Sequence, residues 1–160
     1  MISLTLFGLA VCFTLAHLFV RNEWRCPQSA EVFLSYVLFF NMGMMGLLGG
    51  YGHIFLGPEI AKQIGWEAGS PFQFEVGMAN LAFGVLGILS YWNRGGFWTA
   101  SIIGWCVLLF GCFVGHIINY YATGNTAPDN IGTFVWFNDL TLPIIVIFTL
   151  LYLRLKEVKA

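Results

Sequence analysis

Phe97-Trp98-Thr99-Ala100-Ser101-Ile102-Ile103-Gly104-Trp105-Cys106-Val107-Leu108-Leu109-Phe110-Gly111-Cys112-Phe113-Val114-Gly115-His116-Ile117-Ile118-Asn119-Tyr120-Tyr121 runs for 25 residues without an Asp, Glu, Lys or Arg. A helix of about 20 apolar residues crosses a hydrocarbon core of about 30 Å. The stretch therefore predicts a membrane-spanning helix, since lipid cannot satisfy an open backbone. Four further apolar segments lie near 2–20, 32–55, 74–92 and 134–153. The expected fold is an all-α integral membrane domain of five spans covering the whole chain.

Composition agrees. The chain is 58% apolar and 9% charged, with a mean hydropathy of +0.77, where soluble domains carry about 25% charged residues. Five spans in 160 residues leave no room for a separate soluble catalytic domain. A net charge of −1 without a basic stripe excludes a nucleic-acid footprint. Cys12, Cys106 and Cys112 fall inside apolar runs, and Cys26 sits in a polar connection. No CxxC pair suggests a disulfide or a zinc knuckle.

Gly and Pro punctuate the gaps at Pro27, Gly57-Pro58, Gly69-Ser70-Pro71, Gly95-Gly96 and from Gly124 to Gly132. Six of the seven basic residues, Arg21, Arg25, Arg94, Arg154, Lys156 and Lys159, fall in alternate connections and the tail. By the positive-inside rule those segments are cytoplasmic and the N-terminus is outside. Arg21 and Arg25 follow the first apolar run, the wrong order for a cleaved signal peptide. The expected location is a prokaryotic inner membrane. Trp24, Trp92 and Trp98 suit an inner aromatic belt and Trp66 and Trp136 an outer one, with Trp105 deeper. Gly57 to Trp66 predicts a short interfacial helix.

Small residues mark seams. Gly43, Gly46 and Gly50 share a stripe with His53. Gly77, Asn80, Gly84 and Gly87 form another, and Gly104, Gly111 and Gly115 a third, with Cys112, His116 and Asn119 beside it. Asp139 precedes Pro143 by four residues, so a kink is expected where the ring withholds a backbone donor.

Titratable side chains in such a background carry a cost unless they pair or work. Gly52-His53-Ile54 has Glu75 22 residues after its histidine, and Gly115-His116-Ile117 has Asp139 23 residues after its own. The predicted topology brings His53, Glu75, His116 and Asp139 to one depth in the outer leaflet. It also suggests a parallel repeat of hairpins 32–92 and 97–153. Asn80 and Asn119 flank this site. His17 stands apart, and Asn41 and Asn93 lie in the expected inner half.

Phe72-Gln73-Phe74-Glu75, followed by Gly77, Asn80-Leu81 and Gly84-Val85-Leu86-Gly87, resembles DoxX-like membrane proteins over about residues 32–153. That resemblance implies a four-helix bundle of spans two to five with span one added. It carries over Glu75 alone, and implies quinone or thiol redox partners, assembly factors or small lipophilic ligands. The absent CxxC pair speaks against a thiol-disulfide role. Gly65-Trp66, Ser70 to Glu75, Gly124-Asn125 and Pro128-Asp129-Asn130 also resemble an uncharacterised group of small prokaryotic multi-span membrane proteins.

The function expected first is binding of a lipid or a quinone-like amphiphile in the outer-leaflet pocket, its polar head fixed by Glu75, Asp139, His53, His116, Asn80 and Asn119. An alternative is a divalent transition metal held by His53, His116, Glu75 and Asp139, or a haem with the two histidines as axial ligands. A small transporter or proton conductor and a structural subunit are further readings, the latter with a homo-oligomer or membrane-complex partner. No Ser-His-acid nucleophile, phosphate loop or dinucleotide fingerprint specifies a reaction.

Overall fold

The computed structural model describes residues 2–25 and 27–157. Cys26 and Lys159 lie outside them. Among the described residues every regular element is helical, and five helices are long and apolar enough to cross a membrane. These are α1 (Ile2–Arg21), α2 (Gln28–Phe55), α4 (Phe72–Leu89), α5 (Gly96–Thr123) and α7 (135–157). Two short helices, α3 (Gly57–Ile64) and α6 (Pro128–Ile131), fill the connections at the end opposite Arg21, Arg94 and Arg154.

α3 occupies the predicted interfacial segment. Pro58 sits in its first turn, and Gly65 ends it at φ +79°, a left-handed conformation that glycine adopts without a Cβ penalty. Trp66 N–H donates back to the Ala61 carbonyl at 2.9 Å. Ala61 and Ile64 bury the inner face of this helix.

The apolar core joins Ala10 of α1 to Leu34, Leu38 and Met42 of α2, Ile102, Trp105 and Leu109 of α5, and Leu142, Val146 and Leu150 of α7. α1 is thus part of the core. α4 stands to one side and packs on α2 through the two glycine stripes. A Cβ on Gly46 would lie 2.7 Å from both the Gly84 Cα and the Asn80 carbonyl oxygen. Gly43 meets Gly87 in the same way, so the backbones touch and dispersion replaces side-chain interdigitation.

The third stripe behaves differently. A Cβ on Gly104 would meet the Phe83 ring at 3.2 Å, but Gly111 and Gly115 have nothing within 4 Å. The Phe83 ring acts as a spacer between α4 and α5. Beyond it, the small residues expected to form a helix seam face open space.

Both α2 and α7 contain a π-helical stretch, Leu38–Met44 and Val135–Thr141. In the second, Leu142 N–H reaches the Phe137 carbonyl five residues back. Pro143 has no N–H to offer the Asp139 carbonyl, and the helix widens just before it.

At the basic end, Arg94 pairs with Glu31, tying the α4–α5 turn to α2. Arg154 donates to the Gly95 carbonyl and to Thr99 Oγ1, the latter at 2.7 Å. Trp98 is no belt residue. It is buried, its indole donates to the Ser90 carbonyl at 2.6 Å, and the Arg94 guanidinium covers its ring at 5.5 Å.

Candidate functional site

A cleft of about 730 Å³ opens between the α2–α4 pair and α5, and α3 and α7 close its ends. Gly46, Gly49 and Gly52 line it from α2, Asn80 and Phe83 from α4, and Gly111 and Gly115 from α5. Gly111 and Gly115 leave its α5 wall open, since a Cβ on either meets nothing within 4 Å. Its size lies within the range of about 300–1,000 Å³ usual for small-molecule sites.

His53 and His116 both line the cleft, and each is fastened in the same manner. His53 Nδ1 lies 2.5 Å from Gln73 Oε1, while Gln73 Nε2 donates to the Gly57 carbonyl at 3.2 Å. His116 Nδ1 lies 2.9 Å from Asn130 Oδ1, while Asn130 Nδ2 donates to the Asn125 carbonyl at 2.9 Å. A backbone carbonyl only accepts, so each amide presents its oxygen to the ring. Nδ1 must then carry the proton, and a neutral imidazole keeps its acceptor lone pair on Nε2. Trp66 stacks on His116 with ring centres 5.6 Å apart, covering one face.

Asp139 and Asn138 form the second polar station. Asp139 is 3% exposed and Asn41 1%. Asn41 Nδ2 donates to the Ser3 carbonyl at 2.9 Å, Ser3 Oγ to Asn138 Oδ1 at 2.7 Å, and Asn138 Nδ2 to Asp139 Oδ1 at 2.8 Å. This chain links α2, α1 and α7 at their buried faces. Both asparagines sit in the π-helical stretches, a placement common at functional sites.

The two stations stand at different depths. Asn41 and His53 are twelve residues apart on α2, or roughly 18 Å at the helical rise. The single-depth cluster expected from the sequence is therefore replaced by an elongated cleft, with histidines toward the α3 end and Asn41, Asn138 and Asp139 deeper inside. Asn41, expected to lie apart in the inner half, joins the Asp139 station.

Two expected site residues do not line the cleft. Glu75 is exposed. Gln73 and Gly77 face α2, and Glu75, two residues from each, is turned by about 200° around the helix axis. Its first-turn position on α4 suits the helix dipole. Asn119 is used in the loop: its Oδ1 accepts from Asn125 Nδ2 at 2.8 Å, and Asn125 also donates to the Ile64 carbonyl at 2.8 Å.

Asn80 does line the cleft, with its amide donating to the Val76 carbonyl at 3.0 Å. Among the described residues no three His, Cys, Asp or Glu side chains stand close enough to hold a metal ion. Of the four residues read as a metal set, His53, His116 and Asp139 line the cleft and Glu75 does not.

Gln73, Asn130, Asn138 and Trp66 were not singled out from the sequence as site residues. The one signal for them was polarity beside a titratable residue, as in Asn138-Asp139.

Five helices long and apolar enough to cross a membrane, packed around a mostly apolar cleft with a few polar groups, define an integral membrane protein. The chain belongs to DUF6790, a family of unknown function, which it matches over residues 1–159. No curated protein and no solved structure matches it.

Proposed function

We propose that the protein binds a small amphiphile or lipid in the cleft between the α2–α4 pair and α5. The carrying observation is that Gly111 and Gly115 leave the α5 wall bare, a Cβ on either meeting nothing within 4 Å, while His53, His116, Asn80 and Asp139 line the space beside them. Mostly apolar walls with a few convergent polar groups suit a ligand with a hydrocarbon body and a polar head.

The charge asymmetry supports an orientation with the histidine end outside and the Arg21, Arg94 and Arg154 end cytoplasmic, in a prokaryotic inner membrane. The Phe72 to Gly87 pattern supports a DoxX-like relation among α2, α4, α5 and α7. The short Pro-initiated helices α3 and α6 follow the two histidine-bearing spans, which supports the hairpin repeat.

Native mass spectrometry in a mixed pool of lipids and quinones tests the binding reading. A retained ligand that is lost in Asp139→Asn and kept in Glu75→Gln is expected. Bare protein under conditions that keep the fold would overturn it.

A further inference from the structure

The deep station of the cleft is acceptor-rich. Asn41 Oδ1 is buried without any hydrogen-bond partner. Its amide orientation is fixed, because Nδ2 donates to the Ser3 carbonyl at 2.9 Å. Asp139 receives a side-chain hydrogen bond at 2.8 Å from Asn138, although a carboxylate offers about four acceptor positions. Each asparagine keeps one further N–H, so unmet acceptors outnumber unmet donors. Farther along the cleft, His53 and His116 add two Nε2 acceptors.

The charge of the lining points the same way. Asp129 and Asp139 belong to the lining residues, which include no Lys or Arg. A buried carboxylate is costly unless it is paired or hydrogen-bonded, and among the described residues the walls supply no Lys or Arg to do it. An anionic head would add a further negative charge to an acidic, low-dielectric space.

Resting on the binding reading above, we infer that the ligand is a cationic amphiphile, a protonated amine head seated between Asn41 and Asp139 with its hydrocarbon body along α5. The ammonium supplies three donors, enough for Asn41 Oδ1 and both carboxylate oxygens. An N⁺–H···O⁻ contact is about twice as strong as its neutral counterpart, so the amine is selected over a polyol of the same chain length. Phe83 and Leu108 line the space available to the chain.

The experiment uses the purified full chain in zwitterionic nanodiscs and three probes of one chain length, octylamine, octyl glucoside and octanoate. Binding is read by titration of tryptophan fluorescence, since Trp66 and Trp105 both line the cleft. Octylamine is expected to bind at least about tenfold more tightly than octanoate. Asp139→Asn should erase that preference while octyl glucoside still binds. Asn41→Leu, the second variant in case the first fails to fold, should weaken octylamine severalfold. Equal binding of all three probes, or an amine preference unchanged in both variants, overturns the head-group inference and leaves the cleft as a binding site. Failure of every probe overturns both.

Discussion

His53 Nδ1 and Gln73 Oε1 lie 2.5 Å apart across the α2–α4 hairpin, and His116 and Asn130 repeat the arrangement at 2.9 Å across the α5–α7 hairpin. Gln73 lies in the first turn of α4, and Asn130 lies in α6 just before α7. The histidine is thereby fixed in orientation and tautomer, with Nε2 left as the acceptor.

That arrangement predicts a spectroscopic result. In protein labelled with ¹⁵N-histidine, the nitrogen spectrum should show His53 and His116 as the Nδ1–H tautomer when neutral. Gln73→Leu should convert His53 to a tautomer mixture and leave His116 unchanged. An Nε2–H signal from His53 in the unmodified protein would contradict the assignment.

The glycines divide into two kinds. Gly46→Leu and Gly84→Leu push side chains into the backbone of the facing helix and should destabilise the fold by about 1–3 kcal/mol, the usual cost of overpacking. A Cβ at Gly111 or Gly115 meets nothing within 4 Å, so Gly111→Leu and Gly115→Leu should leave the melting temperature nearly unchanged while abolishing ligand retention. Thermal melts in detergent read the first effect and native mass spectrometry the second. Equal destabilisation by all four would remove the distinction between seam and cleft.

Asn125 fastens the α5–α6 loop to α3 through the Ile64 carbonyl. Asn125→Ala should loosen that closure, at about 1 kcal/mol for each hydrogen bond lost. Hydrogen exchange should accelerate around 60–66 and 124–131 but not in α1 or α7. Uniform acceleration along the chain would show a general loss of stability instead.

Glu75→Gln should leave ligand retention intact, because its side chain is on the far side of α4 from the α2 seam. Asp139→Asn should reduce it. The reverse ranking, read by the same native mass spectrometry, would return the site to the face that carries Glu75.

The contrast between those two carboxylates shows where the sequence stopped being informative. Spans are legible because bilayer thickness sets their length, and the Gly46 and Gly84 stripes are legible because helix periodicity puts small residues on one face. Whether such a stripe packs or stands open depends on the partner helix. Gly111 and Gly115 have the same spacing logic as a seam, yet the Phe83 ring holds α4 away.

The azimuth of Glu75 likewise followed from which face of α4 met α2, and the hydrophobic pattern of an almost uniformly apolar helix cannot reveal that. Asn41 and Asp139 are far apart in the chain and are joined through Ser3 and Asn138. Pro143 marks the π-helical stretch that carries Asp139, whereas the one that carries Asn41 has no such signal in the sequence.

The most direct measurement of the central claim is a density map of the protein purified in nanodiscs from its own membrane lipids. An elongated ligand density is predicted between Gly46 and Asn80 on one wall and Gly111 and Gly115 on the other, its head at Asn41 and Asp139. A cleft collapsed by contact of α4 with α5 at Gly111 and Gly115 would contradict the account.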